Sequence, residues 1–187
     1  HAAKLKKDGK QIKIITVGKK GRDALKRDLG EDFIEHVDLS EFKSIKYVNA
    51  QAIAKALLAR FDDNEYDVAT IFYSKFVNVV SQIPTAQQVI PAIFEDHSLA
   101  SEKAIYDYEP DEETILADLL PRGVATQIFA ALLENGASEQ GARMSAMDNA
   151  TRNAGDMIDK LTIEFNRSRQ AVITNELIEI ISGAEAL

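Results

Sequence analysis

The chain has 187 residues, of which 45% are hydrophobic and 28% charged, enough for one ordinary domain plus a long extension. Its formal net charge of −8 argues against general nucleic-acid binding, which requires a basic surface that displaces counterions from phosphates. The sequence has no cysteine, which excludes disulfides and thiolate chemistry, and no apolar run approaches the roughly 20 residues that cross a bilayer, so we expect a soluble protein in a reducing compartment.

The first elements predicted are a strand, a turn and a helix. A basic lead-in at 4–10 precedes a short apolar, β-branched run at 13–17, which predicts a buried strand. The glycines at 18 and 21 predict a turn, and 22–29 has a helical pattern that ends at Gly30. A phosphate cradle is the other interpretation of this turn, but the spacing matches neither a P-loop nor a dinucleotide fingerprint. We therefore interpret it as a strand-to-helix connection.

Four more segments complete the predicted sheet. Alternation at 33–39 predicts a second strand, and apolar residues at helical spacing predict a helix over 47–61. Residues 67–76 are rich in Val, Ile, Phe and Tyr and predict a central strand. Residues 83–94 contain two prolines, which favours a sheet edge, and 103–108 alternates as a last strand. The order predicts an α/β fold with a partly parallel sheet.

The second part of the chain predicts one long helix. Acidic residues at 111–113 are typical of a helix N-terminus, and Pro121 is expected to kink or restart the helix. From 124 to about 181 the pattern is helical, although Asn135–Gly136 alone predicts a helix stop. If the helix is continuous, about sixty residues give a rod of roughly 90 Å.

The helix carries an apolar seam at steps of three and four, the pattern of a two-stranded coiled coil. Several seam positions are small, so a partner backbone must approach closely. The sequence predicts no second helix of matching length, so the partner must come from elsewhere. The seam residues are Met147, Ala150, Ala154, Met157, Leu161, Phe165, Ser168 and Val172.

The other polar clusters predict no metal or cofactor site. Residues 95–118 hold nine carboxylates against one lysine, but without the spacing of a cation-binding loop, so we interpret them as a solvated acidic face. His36 beside Asp38 has no nucleophile placed with it and is interpreted as an ordinary strand histidine. His97 falls in a polar loop and supports no site, and no histidine has a second histidine at metal-ligand spacing.

A polar cluster near the end of the helix has two interpretations. Arg167, Arg169, Gln170, Thr174, Asn175 and Glu176 crowd two helical turns between apolar residues. Taken alone, they are best explained as a solvated helix face with weak intrahelical charge pairs.

Three blocks in the same region, in the same order, carry a family resemblance. They are Ser138–Glu139 leading into ARM at 142–144 and MDNATRN at 147–153, then NRSRQA at 166–171, then IT at 173–174 with Glu176, Glu179 and Gly183–Ala184. They resemble the C-terminal helix of the γ subunit of rotary F-type ATP synthases, and look closest to α-proteobacterial members. The resemblance covers nearly all of this chain but about the later two-thirds of a family member, without the leading helix and first strand.

The resemblance implies a non-catalytic rotor subunit of a proton-transporting ATP synthase. Residues 1–110 would form a Rossmann-like domain at the foot of the central stalk, touching the ε-type subunit and the membrane rotor ring without binding a nucleotide. Residues 111–187 would form one helix that runs through Asn135–Gly136 and is half of an antiparallel coiled coil with the missing N-terminal γ helix. The implied location is the cytoplasmic face of a bacterial inner membrane, held there through the complex.

The resemblance also assigns roles to the end of the helix. Residues matching Arg169, Gln170, Thr174 and Glu176 lie where the shaft meets loops of the catalytic and non-catalytic head subunits (β and α). An apolar tip surrounded by a hydrophobic collar would follow. The tip consists of Ile173, Leu177, Ile178 and Ile181.

Two alternatives of other classes are kept. A small α/β nucleotide-binding protein with a helical appendage would bind ATP or NAD as an isolated chain. A coiled-coil scaffold unrelated to rotation would tolerate alanine throughout the polar cluster without loss of ATP turnover in an assembled complex.

Overall fold

The computed structural model of the chain describes residues 1–40, 44–92, 109 and 111–185. The predicted strand at 103–108 and His97 lie outside these residues. The helices and strands are α1 (Ala2–Lys7), β1 (Ile14–Val17), α2 (Lys19–Leu29), β2 (Phe33–Val37), α3 (Tyr47–Asp62), β3 (Ala69–Phe76), β4 (Gln82–Ile90) and α4 (Glu112–Glu185), with a 3-10 turn at Gly30–Asp32 after α2.

The strands β1 and β2 pair in parallel and form a two-stranded sheet of their own. Thr16 lies opposite His36, and its buried hydroxyl oxygen is 2.9 Å from Nδ1 of that histidine. The backbone N–H of Gly18 donates to the carbonyl of Val37 at 2.9 Å, and Gly18 has a φ of +90°, which favours glycine. The expected four-residue turn is therefore reduced to Gly18, because α2 begins directly at Lys19.

The second pair of strands is antiparallel, with β3 next to β4 from Ala69↔Ile90 to Phe76↔Gln82. Successive residues of β3 point to opposite faces, so that Ile71 packs against the core while Phe72 is exposed. A parallel pair, an antiparallel pair and a long C-terminal helix confirm the predicted α/β class with partly parallel pairing, although the two pairs are separate sheets among the described residues.

The core lies where α3 and α4 pack on β4. Its alanines let the elements approach closely, and Val89 has the largest side chain that is fully buried. The rings of Tyr47 and Phe129 meet edge to face with centroids 5.7 Å apart at the border of this core. The buried residues are Ala50 and Ala54 of α3, Val89 and Ile90 of β4, and Val124, Ala125 and Ile128 of α4.

A small ionic network ties β2 and the start of β1 to α3. Arg60 donates to Glu35 at 2.7 Å and lies 3.6 Å from Glu65, which accepts from Lys13 at 2.9 Å. The hydrogen bond from Lys13, with the nearby Arg60 charge, lowers the pKa of the Glu65 carboxyl below its usual value.

The long helix α4 begins at a carboxylate cap. Asp111 accepts hydrogen bonds from the hydroxyl of Thr114 at 2.7 Å and from its backbone N–H at 3.0 Å, which lower the pKa of the Asp111 carboxyl. The helix then continues for 74 residues through Pro121, where a restart was expected. Proline removes only one backbone donor, and Pro121 and the residue four positions before it are exposed, so water can reach the freed carbonyl.

The same helix contains an apolar stretch that was not expected from the sequence, since no run long enough to cross a bilayer was predicted. One 18-residue window within Glu112–Ala184 has a mean hydropathy of 1.3, and 22% of it is buried in the structure. By length and composition this window meets the criteria for a membrane span, which the core helices of soluble proteins also meet.

The chain divides into two compact units. The first consists of His1–Val77 with Ser81–Ser138, and contains the four strands β1 to β4 of the described residues. The second consists of Asn78–Val80 with Glu139–Leu187, and contains the distal part of α4. The predicted domain division at residue 110 stays a prediction.

Candidate functional site

The first functional feature is the junction between β3 and α4, within the first unit. Ser74 donates its backbone N–H to Oδ1 of Asn135 at 3.2 Å, and its carbonyl accepts from the hydroxyl of Ser138 at 2.8 Å. Both backbone groups of one strand residue are thus satisfied by side chains of the helix. Ser138 is 3% exposed, so its side of this contact is shielded from water, whereas Asn135 lies at the exposed edge of the junction.

This junction explains why α4 does not end at Asn135–Gly136. An asparagine favours helix ends because its side chain competes for local backbone groups. Here the side-chain oxygen of Asn135 accepts a hydrogen bond from the backbone N–H of Ser74 instead, and Gly136 lies within the continuous helix. The expected helix stop is wrong for this reason, and the helix is continuous as the family resemblance implied.

A second set of polar contacts lies beside this junction. Tyr73 donates to the side-chain oxygen of Gln87 at 3.1 Å, and Gln87 donates to that of Gln127 at 3.0 Å, which links β3, β4 and α4. Burial raises the pKa of the Tyr73 hydroxyl, with a contribution from the negative charge of Glu134. The hairpin is therefore held to the helix by both side-chain and backbone groups.

Ser138→Ala is expected to loosen this junction, because the partly buried Ser74 carbonyl loses its donor. We expect the free energy of local opening to fall by about 1–2 kcal/mol. Amide hydrogen exchange over 72–76 and 132–140 measures this opening. The matched control is Ser145→Ala on the same helix, whose hydroxyl makes no bond to another described residue. Equal exchange in the two variants would contradict the assigned role of Ser138.

The second functional feature is the distal part of α4. Every residue from 146 to 184 is exposed, including apolar side chains at seam positions: Met157 is 63% exposed, Leu161 57% and Phe165 66%. The seam residues share one side of the helix, as their spacing predicted. No described part of the chain covers them. An exposed apolar stripe of this length is typical of a helix that packs on a partner.

Beyond Val172 the apolar face changes sides. The positions that continue the seam are Asn175 and Glu179, which are polar. Since an α-helix turns by about 100° per residue, a second stripe lies opposite the seam, and it consists of Gln170, Thr174, Leu177 and Ile181. The seam and this opposite stripe can therefore contact different partners at the same time.

The remaining predicted contact residues lie between these two faces. Arg169 and Glu176 flank the seam, and Ile173 and Ile178 flank the opposite stripe. Arg169 and Glu176 form no ion pair with any described residue. The Thr174 hydroxyl donates to the carbonyl of Gln170 at 2.8 Å. The predicted contact and tip residues thus lie within 169–181, a little over three turns of one exposed helix.

Nearer the junction, by contrast, the charged side chains pair within the helix. Arg143 donates to Glu139 at 2.5 Å, and Arg152 pairs with Asp148, both four residues apart. Sequence reasoning missed Ser74, Asn135 and Ser138 as positioning residues. The signal that could have revealed them was the Asn135–Gly136 pair, which predicts a helix stop but lies within an uninterrupted helical pattern of apolar residues.

Comparison with known proteins agrees with this architecture. The ATP synthase family matches residues 1–187. The ATP synthase gamma chain of Roseobacter denitrificans is 77% identical over 187 residues, which are 100% of this chain and 64% of that protein. The gamma chain of Ruegeria sp. TM1040 is 76% identical over 179 residues, which are 96% of this chain and 62% of that protein. The chain thus spans less than two thirds of the length of these relatives.

Solved structures share the fold at low sequence identity. The Euglena gracilis mitochondrial ATP synthase OSCP/F1/c-ring contains a chain that matches 99% of this one with a TM-score of 0.66 and 21% identity, over 65% of its own length. A chain in the central stalk/c-ring of the Tetrahymena thermophila enzyme matches 80% of this one with a TM-score of 0.61 and 24% identity, over 66% of its length. The family model matches the whole chain, and these gamma chains are more than 70% identical to it. The chain therefore belongs to the ATP synthase family.

Proposed function

We propose that the chain acts as the central-stalk rotor subunit of an F-type ATP synthase and transmits torque between a proton-driven membrane ring and the catalytic head. The observation that supports this most is the change of apolar face on an exposed, continuous α4. The apolar seam ends at Val172, and the apolar residues that follow on the opposite side of the helix are Leu177 and Ile181. A helix that serves one partner only would keep its apolar face on one side.

In this proposal the seam binds the N-terminal helix of the gamma chain, antiparallel to α4. The opposite stripe and the apolar tip then contact the catalytic and non-catalytic head subunits. The first unit is the foot of the stalk and contacts the ε-type subunit and the rotor ring. The complex holds the chain at the cytoplasmic face of the inner membrane, and the chain has no catalytic site of its own.

The mechanism is differential binding. One asymmetric helix meets three equivalent catalytic interfaces, and it presents a different side to each. A contact can shift a conformational equilibrium only by as much as it favours one conformation over the other. The contact residues suit interactions that are remade at each step of rotation, because they are exposed and polar and none is a large aromatic side chain buried in a pocket. They are Arg169, Gln170, Thr174 and Glu176.

The test is reconstitution of the chain with head subunits and a peptide that covers the missing leading helix. Arg169→Ala with Glu176→Ala is expected to lower ATP turnover of the assembled head by at least about tenfold, because the loss of even one charged hydrogen bond costs about 1.5–3 kcal/mol. The matched control is Glu139→Ala with Arg143→Ala, which removes the same residue types from the same helix at the same net charge.

Two results would contradict the proposal. If both double variants turned over ATP at the unmodified rate, the distal cluster would not be the contact with the head, and a scaffold would be favoured. If the isolated chain bound ATP or NAD, the small nucleotide-binding alternative would replace the rotor.

A further inference from the structure

The charges of this chain are distributed very unevenly. Residues 1–27 contain ten lysines and arginines and two aspartates, a net charge of +8 in a chain whose total is −8. The rest of the chain therefore carries −16. The ten basic residues are Lys4, Lys6, Lys7, Lys10, Lys13, Lys19, Lys20, Arg22, Lys26 and Arg27.

All ten are on exposed positions, and only three form ion pairs with described residues. These pairs are Lys6 with Asp32 at 2.6 Å, Lys13 with Glu65 at 2.9 Å and Arg27 with Asp28 at 3.4 Å. We call the other seven the basic face: Lys4, Lys7, Lys10, Lys19, Lys20, Arg22 and Lys26.

The fold places α1 near the end of α2. Lys6, which lies between Lys4 and Lys7 on α1, pairs with Asp32 just beyond α2 and lines a cleft of about 660 Å³ with Arg22 and Lys26. This cleft is also lined by carboxylates, those of Asp28, Glu31 and Asp32. Lys19, Arg22 and Lys26 follow each other at three and four residues along α2, so they share one side of that helix. Neither α1 nor α2 contains a buried residue, so this side is open to a partner.

The chemistry of the basic face favours a surface with many separate negative charges. Six of its seven residues are lysines, which act as flexible point charges and lack the planar fork with which arginine grips one carboxylate or phosphate. Residues 1–27 contain no Phe, Tyr or Trp on which a nucleic-acid base could stack. Clusters of four to eight basic residues on an exposed helix are suited to anionic lipid headgroups.

We propose that the basic face binds the anionic phospholipid surface of a membrane. The strongly negative remainder of the chain is repelled by the same surface, so the chain docks in one orientation, with α1 and α2 toward the headgroups. This binding is independent of the proposed rotor function, because it belongs to the isolated chain and requires no other subunit.

The experiment is sedimentation of the full chain with vesicles. We expect the chain to pellet with vesicles of phosphatidylcholine containing one third phosphatidylglycerol, and not with phosphatidylcholine alone. Binding is expected to weaken steeply as salt is added. Lys19→Gln, Arg22→Gln and Lys26→Gln together should weaken partitioning roughly a hundredfold, since each charge near an anionic surface contributes about a factor of five.

The control variant removes the same number of positive charges from residues outside the basic face. Lys55→Gln, Lys160→Gln and Arg167→Gln remove two lysines and one arginine from exposed positions and should leave binding within about twofold, because these residues lie outside the face that docks. Circular dichroism checks that both variants remain folded.

Three outcomes would overturn the proposal. The first is no binding that depends on phosphatidylglycerol at low salt. The second is an equal loss in both triple variants, which would show that net charge alone governs binding. The third is binding to polyglutamate but not to the vesicles, which would assign the basic face to an acidic protein.

Discussion

Leu161→Asp combined with Phe165→Asp is expected to abolish self-association of the isolated chain. The seam is exposed along its length, so two copies are expected to cover it by packing against each other when no other helix is present. Burial of a leucine and a phenylalanine contributes about 1.5–3 kcal/mol each. Since each of the two copies loses both side chains, the dimer loses at least about 6 kcal/mol, and the association constant should fall by at least about ten-thousandfold. Multi-angle light scattering of a dilution series measures the mass.

The matched control is Ile163→Asp, on the same part of α4 but on the side away from the seam. Ile163 is 68% exposed, as much as the two seam residues, so loss of apolar surface is comparable while the seam remains intact. We expect this variant to associate as the unmodified chain does. A monomeric unmodified chain whose distal helix is fully protected from hydrogen exchange would contradict the need for a second helix.

Ile128→Ala is expected to lower the free energy of unfolding of the first unit by about 3 kcal/mol. Ile128 is 5% exposed and belongs to the core with Val89 and Ala125, and alanine would leave a cavity between α4 and β4. Because Tyr47 and Phe129 border this core, urea unfolding can be followed by the near-ultraviolet circular dichroism of the tyrosines.

Leu133→Ala is the control for this prediction. Leu133 is five residues further along the same helix but is 47% exposed, so its removal should change stability by less than about 1 kcal/mol. If the two variants unfolded at the same urea concentration, the packing of α4 on the sheet would contribute little to the stability of the first unit.

Much of the fold could be predicted because local patterns agree with tertiary structure. The strands β1 to β4 and helix α3 lie within a few residues of the segments at 13–17, 33–39, 67–76, 83–94 and 47–61. Each has an apolar run or period of its own that needs no distant partner to be recognised. The placement of the distal residues around the helix could also be predicted, because spacing alone fixes it once the helix is continuous. Their role as a contact with head subunits comes from the family resemblance and stays a prediction.

Continuity itself could not be predicted from local rules. Pro121 and Asn135–Gly136 both oppose a helix locally, yet α4 runs through both. The contacts that decide the second case join residues far apart in the chain, since Ser74 lies 61 residues from Asn135 and 64 from Ser138. No short window of sequence contains both partners, so the local preference of Asn135 predicts the opposite outcome.

The sequence by itself determined the seam, the change of apolar face after Val172 and the excess of positive charge in the first 27 residues, because each depends only on residue type and spacing. Tertiary contacts decided what local rules predict wrongly, namely that α4 continues through Asn135–Gly136. They did so by giving the Asn135 and Ser138 side chains the backbone groups of Ser74 as partners, so that these side chains hold the helix to the sheet where a local rule predicts an end.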